Sequence, residues 1–237
     1  AGRWRPALTR RDWRAVVLLG FSGYYLASYL DFLGLQYVSA SLERLVLYLN
    51  PTLVLLLGWL LFGRRTSRRQ WIAMGVSYAG VLVAFGQEAQ FAGTQAGLGL
   101  LLVLGSALSY ALYLTYSGEE VRRLGALRLT GLATSVACVL CIAQYLLLRP
   151  VAALADVAPA VWWLSLLNAT ACTFAPVLMV MLAIERIGPS ATAQTGMVGP
   201  MSTIAMGVLI LGEPFTPGVV LGTVLVLAGV ALLNRRR

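Results

Sequence analysis

Eight long apolar runs constrain this chain more than any other feature. They are Ala15–Tyr37, Ser41–Phe62, Trp71–Gly86, Leu98–Tyr116, Leu129–Leu148, Val161–Ile184, Ala191–Leu211 and Val219–Leu233. A helix needs about 20 mostly apolar residues to cross the hydrocarbon core of a bilayer. The third and eighth runs are short, so flanking residues or local thinning of the bilayer must complete the crossing. The runs predict an all-α, polytopic membrane helix bundle of eight transmembrane helices. No soluble stretch between them is large enough to carry the function.

Charge sets the orientation. Only 11% of residues are charged, yet the net charge is +9. In a soluble protein that excess would point to nucleic acid, but its placement argues otherwise. All 18 basic residues are Arg, and sixteen of them fall in segments 1–14, 63–70, 117–128, 185–190 and 234–237. These segments share one side of an eight-span topology. The positive-inside rule makes that side, with the C-terminus, cytoplasmic. In a bacterial cell this predicts a multi-pass inner-membrane protein whose basic face meets anionic lipid headgroups. No nucleic-acid recognition motif accompanies the charge, so nucleic-acid binding is excluded.

Cys138, Cys141 and Cys172 all fall within spans, and the chain has no His. A redox or zinc site needs a polar setting and more ligands. The cysteines therefore read as small packing residues, and no metal or cofactor is expected. Asn168-Ala-Thr170 matches a glycosylation sequon but lies inside a span.

The two halves align without a gap when the chain is shifted by about 149 residues. Trp13 meets Trp162, Ser41 meets Ser190, Pro51 meets Pro200, Gly58 meets Gly207 and Gly63 meets Gly212. Ala79-Gly80-Val81 meets Ala228-Gly229-Val230. Most identities are Gly, Pro or small residues, which mark tight helix packing and helix breaks. The second span pairs with the seventh, five spans later. Five is odd, so equivalent helices run in opposite directions. Such inverted repeats are common in secondary transporters. The repeat divides the chain into residues 1–94, with three spans, and 95–237, with five.

Three stretches carry a family resemblance: residues 29–63, beginning YLDFLGLQYVSASLERL; residues 107–119, ALSYALYLTYSGE; and residues 183–213, beginning AIERIGPSATAQTGMVGP and ending LGE. Through them the chain resembles the bacterial EamA-type members of the drug/metabolite transporter superfamily. The resemblance covers essentially the whole chain. It implies ten spans in two inverted five-helix repeats (5+5), and export or exchange of a small metabolite. It implies no particular substrate. The chain departs from the family pattern at Arg64, where an acidic residue usually follows the glycine, although Glu213 keeps that residue in the second half. It also offers eight spans, not ten.

Pro51 and Pro200 sit mid-span at corresponding positions. Each removes one helical donor, leaving the carbonyls of Leu47 and Gly196 without their usual partners. Asn50 and Gly199 soften the breaks. Paired interruptions in two halves point to a midplane site, so Pro51, Gly199 and Pro200 are candidate hinges. They also fit a kink that only lets helices pack.

Span four carries Ser106, Ser109, Tyr110, Tyr113 and Ser117 on one face. A polar and aromatic stripe in a membrane helix faces protein or water. It reads as a substrate-pathway wall, with Asn50 and Gln194 adding polar groups from spans two and seven. Interhelical hydrogen bonding is the plainer alternative.

Asp31, Glu43 and Arg44 are the charges nearest the membrane interior. A short loop brings Asp31 at the outer end of span one near Glu43 and Arg44 on span two. Ionisable groups at membrane depth are costly and suggest function. Proton coupling needs such a carboxylate; an ion pair that only fixes packing is the competing reading. Glu119, Glu120, Arg122 and Arg123 read as a solvated cytoplasmic loop. Gly218-x-x-x-Gly222, with Gly229, offers a helix-packing face or a homodimer face.

The sequence thus predicts a secondary transporter that moves a small metabolite by alternating access. No Walker sequence occurs, so a substrate or proton gradient would drive it. An intramembrane enzyme would need a nucleophile–base pair or metal ligands, which the spans lack. A membrane-embedded binding or assembly protein without transport is the alternative. The repeat makes one more prediction. Spans four and five have mates that would precede residue 1, so the chain reads as lacking its first two transmembrane helices. Such a fragment should present a side-open groove lined by Ser106, Ser109, Tyr110 and Tyr113.

Overall fold

Thr9 starts the first helix. Its hydroxyl accepts from the Asp12 backbone N–H at 3.2 Å, and the Asp12 carboxylate accepts from the Thr9 N–H at 2.7 Å. This capping box satisfies two of the free donors at a helix start. Helix α1 therefore runs Arg10–Gly34 and begins more than a turn before its apolar run. In the computed structural model, residues 8–63, 66–92, 95–154, 157–195, 206, 209–210 and 217–234 are described, and none of them forms a strand.

The second span is α2, broken into Ala40–Leu47 and Asn50–Phe62. Ser39 caps its start, accepting from the Leu42 N–H at 3.1 Å. Gly63, at φ 61°, ends it in the left-handed conformation that glycine takes most readily. Then come α3 (Arg68–Ala92), α4 (Ala96–Leu124) and α5 (Ala126–Leu148). A short 3-10 turn, Val151–Leu154, precedes α6, Pro159–Ile187. Helix α7 is described over Pro189–Thr195, and α8 spans Pro217–Asn234.

Helices α1, α2, α4, α5 and α6 are long and apolar enough to cross a membrane. Helix α8 contributes the shorter apolar stretch Val220–Leu232. Helix α3 has 25 residues, but Gly75, Gly80, Gly86, Ser77 and Tyr78 dilute its apolar character. Most of the seventh predicted span lies outside the described residues. The chain is thus an all-α, multi-pass membrane bundle.

Helices α2 and α4 form its interior: 56% and 44% of their apolar windows are buried, against 11% for α5 and for α6. Tyr48, Leu42, Leu45 and Leu49 from α2 meet Val103, Ala107, Ala111 and Tyr113 from α4 in one core. Helices α5 and α6 turn most of their surface outward, including Trp162 and Trp163, as lipid-facing helices do. Cys138, Cys141 and Cys172 are free and exposed on these two helices.

Residues 117–128 do not form the loop that their charges suggest, although Glu119, Arg122 and Arg123 are exposed there as expected. Helix α4 continues to Leu124, and Gly125 alone separates it from α5. Arg123 bridges two acids, Asp12 of α1 and Glu120 one turn back on α4. Helical spacing aligns Glu120 with Arg123, and a charge-assisted bridge to α1 favours continuing the helix over releasing a loop.

Candidate functional site

The polar stripe of α4 packs face to face with α1. Its residues do point one way, as helical spacing requires. The groove expected along them is filled, however: Ser106, Ser109 and Tyr113 are buried, and α1 covers them. The correction has a physical cause. Gly23 of α1 lies against the Tyr113 ring, where any β-carbon would collide. At the other end, β-carbons on Gly34 and Gly99 would lie 2.5 Å from Val103 and 2.7 Å from Tyr37. Three glycines let the two helices approach too closely for an open groove.

Within this contact lies an aromatic cluster. The Tyr24 and Tyr113 hydroxyls are hydrogen-bonded to one another, and their rings meet edge to face at 4.9 Å. Tyr110 stacks on Tyr113 with centroids 5.7 Å apart. The Ser109 hydroxyl donates to the Ser22 carbonyl at 2.7 Å. That carbonyl also accepts from the Ala27 N–H, five residues on. Residues Phe21–Leu26 form a π-helical segment, a local widening of the α-helix often found at functional positions.

An ionisable cluster sits two turns away, about 10 Å along the helices at 1.5 Å per residue. Asp31 of α1 faces Glu43 and Ser106 and lies in the field of Arg44. Glu43 is fully buried, and Arg44 Nε lies 3.0 Å from its carboxylate. So the trio does come together, and Ser106 of the stripe joins it. Three helices converge here: α1, α2 and α4.

Immediately beyond is the break in α2. Pro51 offers no N–H to the Leu47 carbonyl. The chain tightens instead, with Leu49 N–H bonding back to Val46 at 2.9 Å. The Thr52 hydroxyl donates to the Leu49 carbonyl at 2.7 Å. Beside the break, Tyr48 Oη and Asn50 Oδ1 are buried without a hydrogen-bond partner among the described residues. Gly199, Pro200 and the Gln194 side chain lie outside the described residues.

Two features recur in the second half at the same 149-residue shift. Helix α6 has its own π segment, Asn168–Phe174. Shifting Phe21–Leu26 by 149 gives 170–175, which overlaps it. The second feature is the crossing of α3 and α8. A β-carbon on Gly80 would lie 2.7 Å from the Gly222 carbonyl and 2.9 Å from Val226. Under the shift, Gly80 becomes Gly229, Gly222 becomes Ala73 and Val226 becomes Ser77. A β-carbon on Gly229 would indeed lie 2.6 Å from the Ala73 carbonyl and collide with Ser77. Gly222 and Gly229 thus serve packing within the chain.

The sequence profile of the EamA-like transporter family matches residues 2–86 and 97–235. The chain belongs to the EamA-like transporter family. Among its relatives in Bacillus subtilis (strain 168) are two proteins named as uncharacterized transporters. YcbK is 30% identical over 203 residues, covering 80% of this chain and 62% of the relative. YvbV is 26% identical over 208 residues, covering 87% of this chain and 67% of the relative. The chain therefore spans about two thirds of the length of these relatives. A crystal structure superposes with a TM-score of 0.66 at 19% identity, covering 96% of this chain and 80% of that one, which shows a shared fold.

Reading the residues in isolation missed two members of the α1–α4 contact. Ser22 and Gly23 carry no charge and look like ordinary span residues; the run Ser22-Gly23-Tyr24-Tyr25 in an apolar span was the available signal. Glu185 of α6 was also missed: its carboxylate accepts from the Ala126 N–H at 3.3 Å and helps cap α5. Among the described residues no group of His, Cys, Asp and Glu is arranged to hold a metal ion.

Proposed function

We propose that the chain carries the core of a secondary-active transporter that moves a small metabolite across the bacterial inner membrane by alternating access. The observation that carries this reading is the recurrence, at one register, of both a π segment and a glycine crossing. It supports two inverted repeats, residues 1–94 and 95–237, rocking about the α3–α8 contact. The π segments of α1 and α6 and the break at Pro51 are the places where such helices bend. Pro200, the corresponding proline in the sequence, is the hinge proposed for the second half.

Substrate passes the α1–α4 face in this reading. Tyr24, Tyr110, Tyr113 and Ser109 form its polar and aromatic wall once α1 swings from α4, and Asn50 contributes from α2. Asp31, Glu43 and Arg44 couple transport to protons. Two carboxyls and one guanidinium leave one negative charge uncompensated, and binding one proton removes it. At membrane depth that difference is costly enough to bias a two-state equilibrium.

The test is flux in proteoliposomes, using a metabolite first selected by its thermal stabilisation of the intact protein. Asp31→Asn or Glu43→Gln should abolish pH-driven flux and spare exchange of substrate for substrate. Loss of protein from the membrane in both variants would instead assign the trio to packing.

A further inference from the structure

A cavity of about 420 Å³ lies between α1 and α4 at the end where α1 enters the membrane. Its inner end adjoins the aromatic cluster at Ser22, and none of Tyr24, Tyr110, Tyr113, Asp31, Glu43 or Arg44 lines it. Arg11, Arg14, Leu18 and Phe21 line it from α1; Leu112, Tyr116 and Glu120 line it from α4. The spacings are three, four and three residues on one helix and four and four on the other. Both sets are therefore continuous stripes facing one another. Below Arg14 the lining is apolar for about 10 Å, two turns of helix. Leu18 is 65% exposed and Phe21 39% exposed, so the cavity opens sideways toward the bilayer.

The charges at its mouth are unbalanced. Arg123 takes up both nearby acids, Asp12 and Glu120. Arg11 and Arg14 form no salt bridge among the described residues. Two guanidiniums one turn apart make a fork-shaped donor set suited to a phosphate. A basic mouth over a narrow apolar slot that opens to lipid matches one amphiphile: phosphate above, acyl chain below.

We infer that this cavity is a binding site for an anionic phospholipid, with the phosphate held between Arg11 and Arg14 and one acyl chain lying against Leu18, Phe21, Leu112 and Tyr116. The occupant is a resident lipid and not the transported substrate. The site stands independently of the proton-coupled reading.

Native mass spectrometry of the intact chain, titrated with phosphatidylglycerol or phosphatidylcholine, tests it. Phosphatidylglycerol should be retained more tightly. The double variant Arg11→Gln/Arg14→Gln should bind it roughly 30-fold more weakly, at about five-fold per Arg near a membrane surface. The pair Arg68→Gln/Arg69→Gln, basic but away from the cavity, should bind as wild type. Leu112→Trp, which fills the slot and keeps both arginines, should also reduce retention. Equal retention of the two lipids overturns the inference, as does an equal loss in the Arg68/Arg69 pair, which would mean general surface attraction. Retention unchanged by Leu112→Trp removes the slot from the site. Transfer of labelled phosphatidylglycerol between leaflets in proteoliposomes would make the lipid a substrate and overturn the resident role.

Discussion

Replacing Gly80 or Gly229 with alanine tests the symmetric crossing of α3 and α8 directly. A β-carbon on Gly80 would sit 2.7 Å from the Gly222 carbonyl and 2.9 Å from the Leu225 β-carbon. On Gly229 it would sit 2.6 Å from the Ala73 carbonyl. Both obstacles are backbone, which cannot rotate aside, so the helices must separate. Overpacking of this kind costs about 1–3 kcal/mol. At this chain length each kcal/mol moves the midpoint about 2–4 °C, so each variant should melt about 2–12 °C lower. Two further results follow from the geometry. The two losses should be similar, because the contacts are equivalent under the shift. The double variant should lose less than the sum, because one separation relieves both clashes. Gly75→Ala and Gly86→Ala are the controls: neither added carbon meets any atom of the described residues within 4 Å. Both should hold or gain stability through helix propensity. Thermal melting of purified protein in detergent reads all five. If Gly80→Ala and Gly75→Ala melt together, or only one of Gly80 and Gly229 responds, the reasoning fails.

Other perturbations address the site. Gly23→Ala forces Tyr113 from its seat and should lower the melting midpoint while increasing cysteine labelling of a Ser109→Cys reporter. Unchanged labelling would mean that α1 does not gate the stripe. Tyr24→Phe and Tyr113→Phe should each weaken the α1–α4 contact by about 1 kcal/mol, with the double variant no worse than either alone, as a shared hydrogen bond requires. Pro51→Ala should slow flux with little loss of folded protein; wild-type flux would refute a hinge at that position. In a cysteine-free background, Ser67→Cys should resist a membrane-impermeant reagent added outside, and strong labelling would reverse the orientation.

Much of this arrangement was legible in the residues because it depends on local rules. The apolar runs located the helices, and Pro51 located the break in α2. The short connection after Asp31 brought it beside Glu43 and Arg44. Reading failed where a partner decides the outcome. The stripe on α4 was correctly assigned to one face, but whether that face is open depends on Gly23, Gly34 and Gly99 admitting α1. The start of α1 depends on a hydrogen bond between Thr9 and Asp12, which hydropathy ignores. The π segments left no compositional mark. Their shift to i→i+5 bonding depends on backbone fit, and Ser109 reaching the Ser22 carbonyl is part of that fit.

The α3–α8 crossing has a consequence for how the chain is free to change. It is an isologous contact, the kind that a two-fold dimer makes with itself. Two separate half-length chains, inserted in opposite orientations, would meet through the same patch. In such a dimer every residue of the patch occurs twice, and a change on one side is forced on the other. Joined in one polypeptide, the sides are released from that identity. Gly222 presses against the Gly80 carbonyl, while its counterpart Ala73 carries a side chain and is fully buried against Gly229. One end of the crossing is glycine on glycine and the other glycine on alanine. A strict homodimer cannot hold that difference, and a fused pair can.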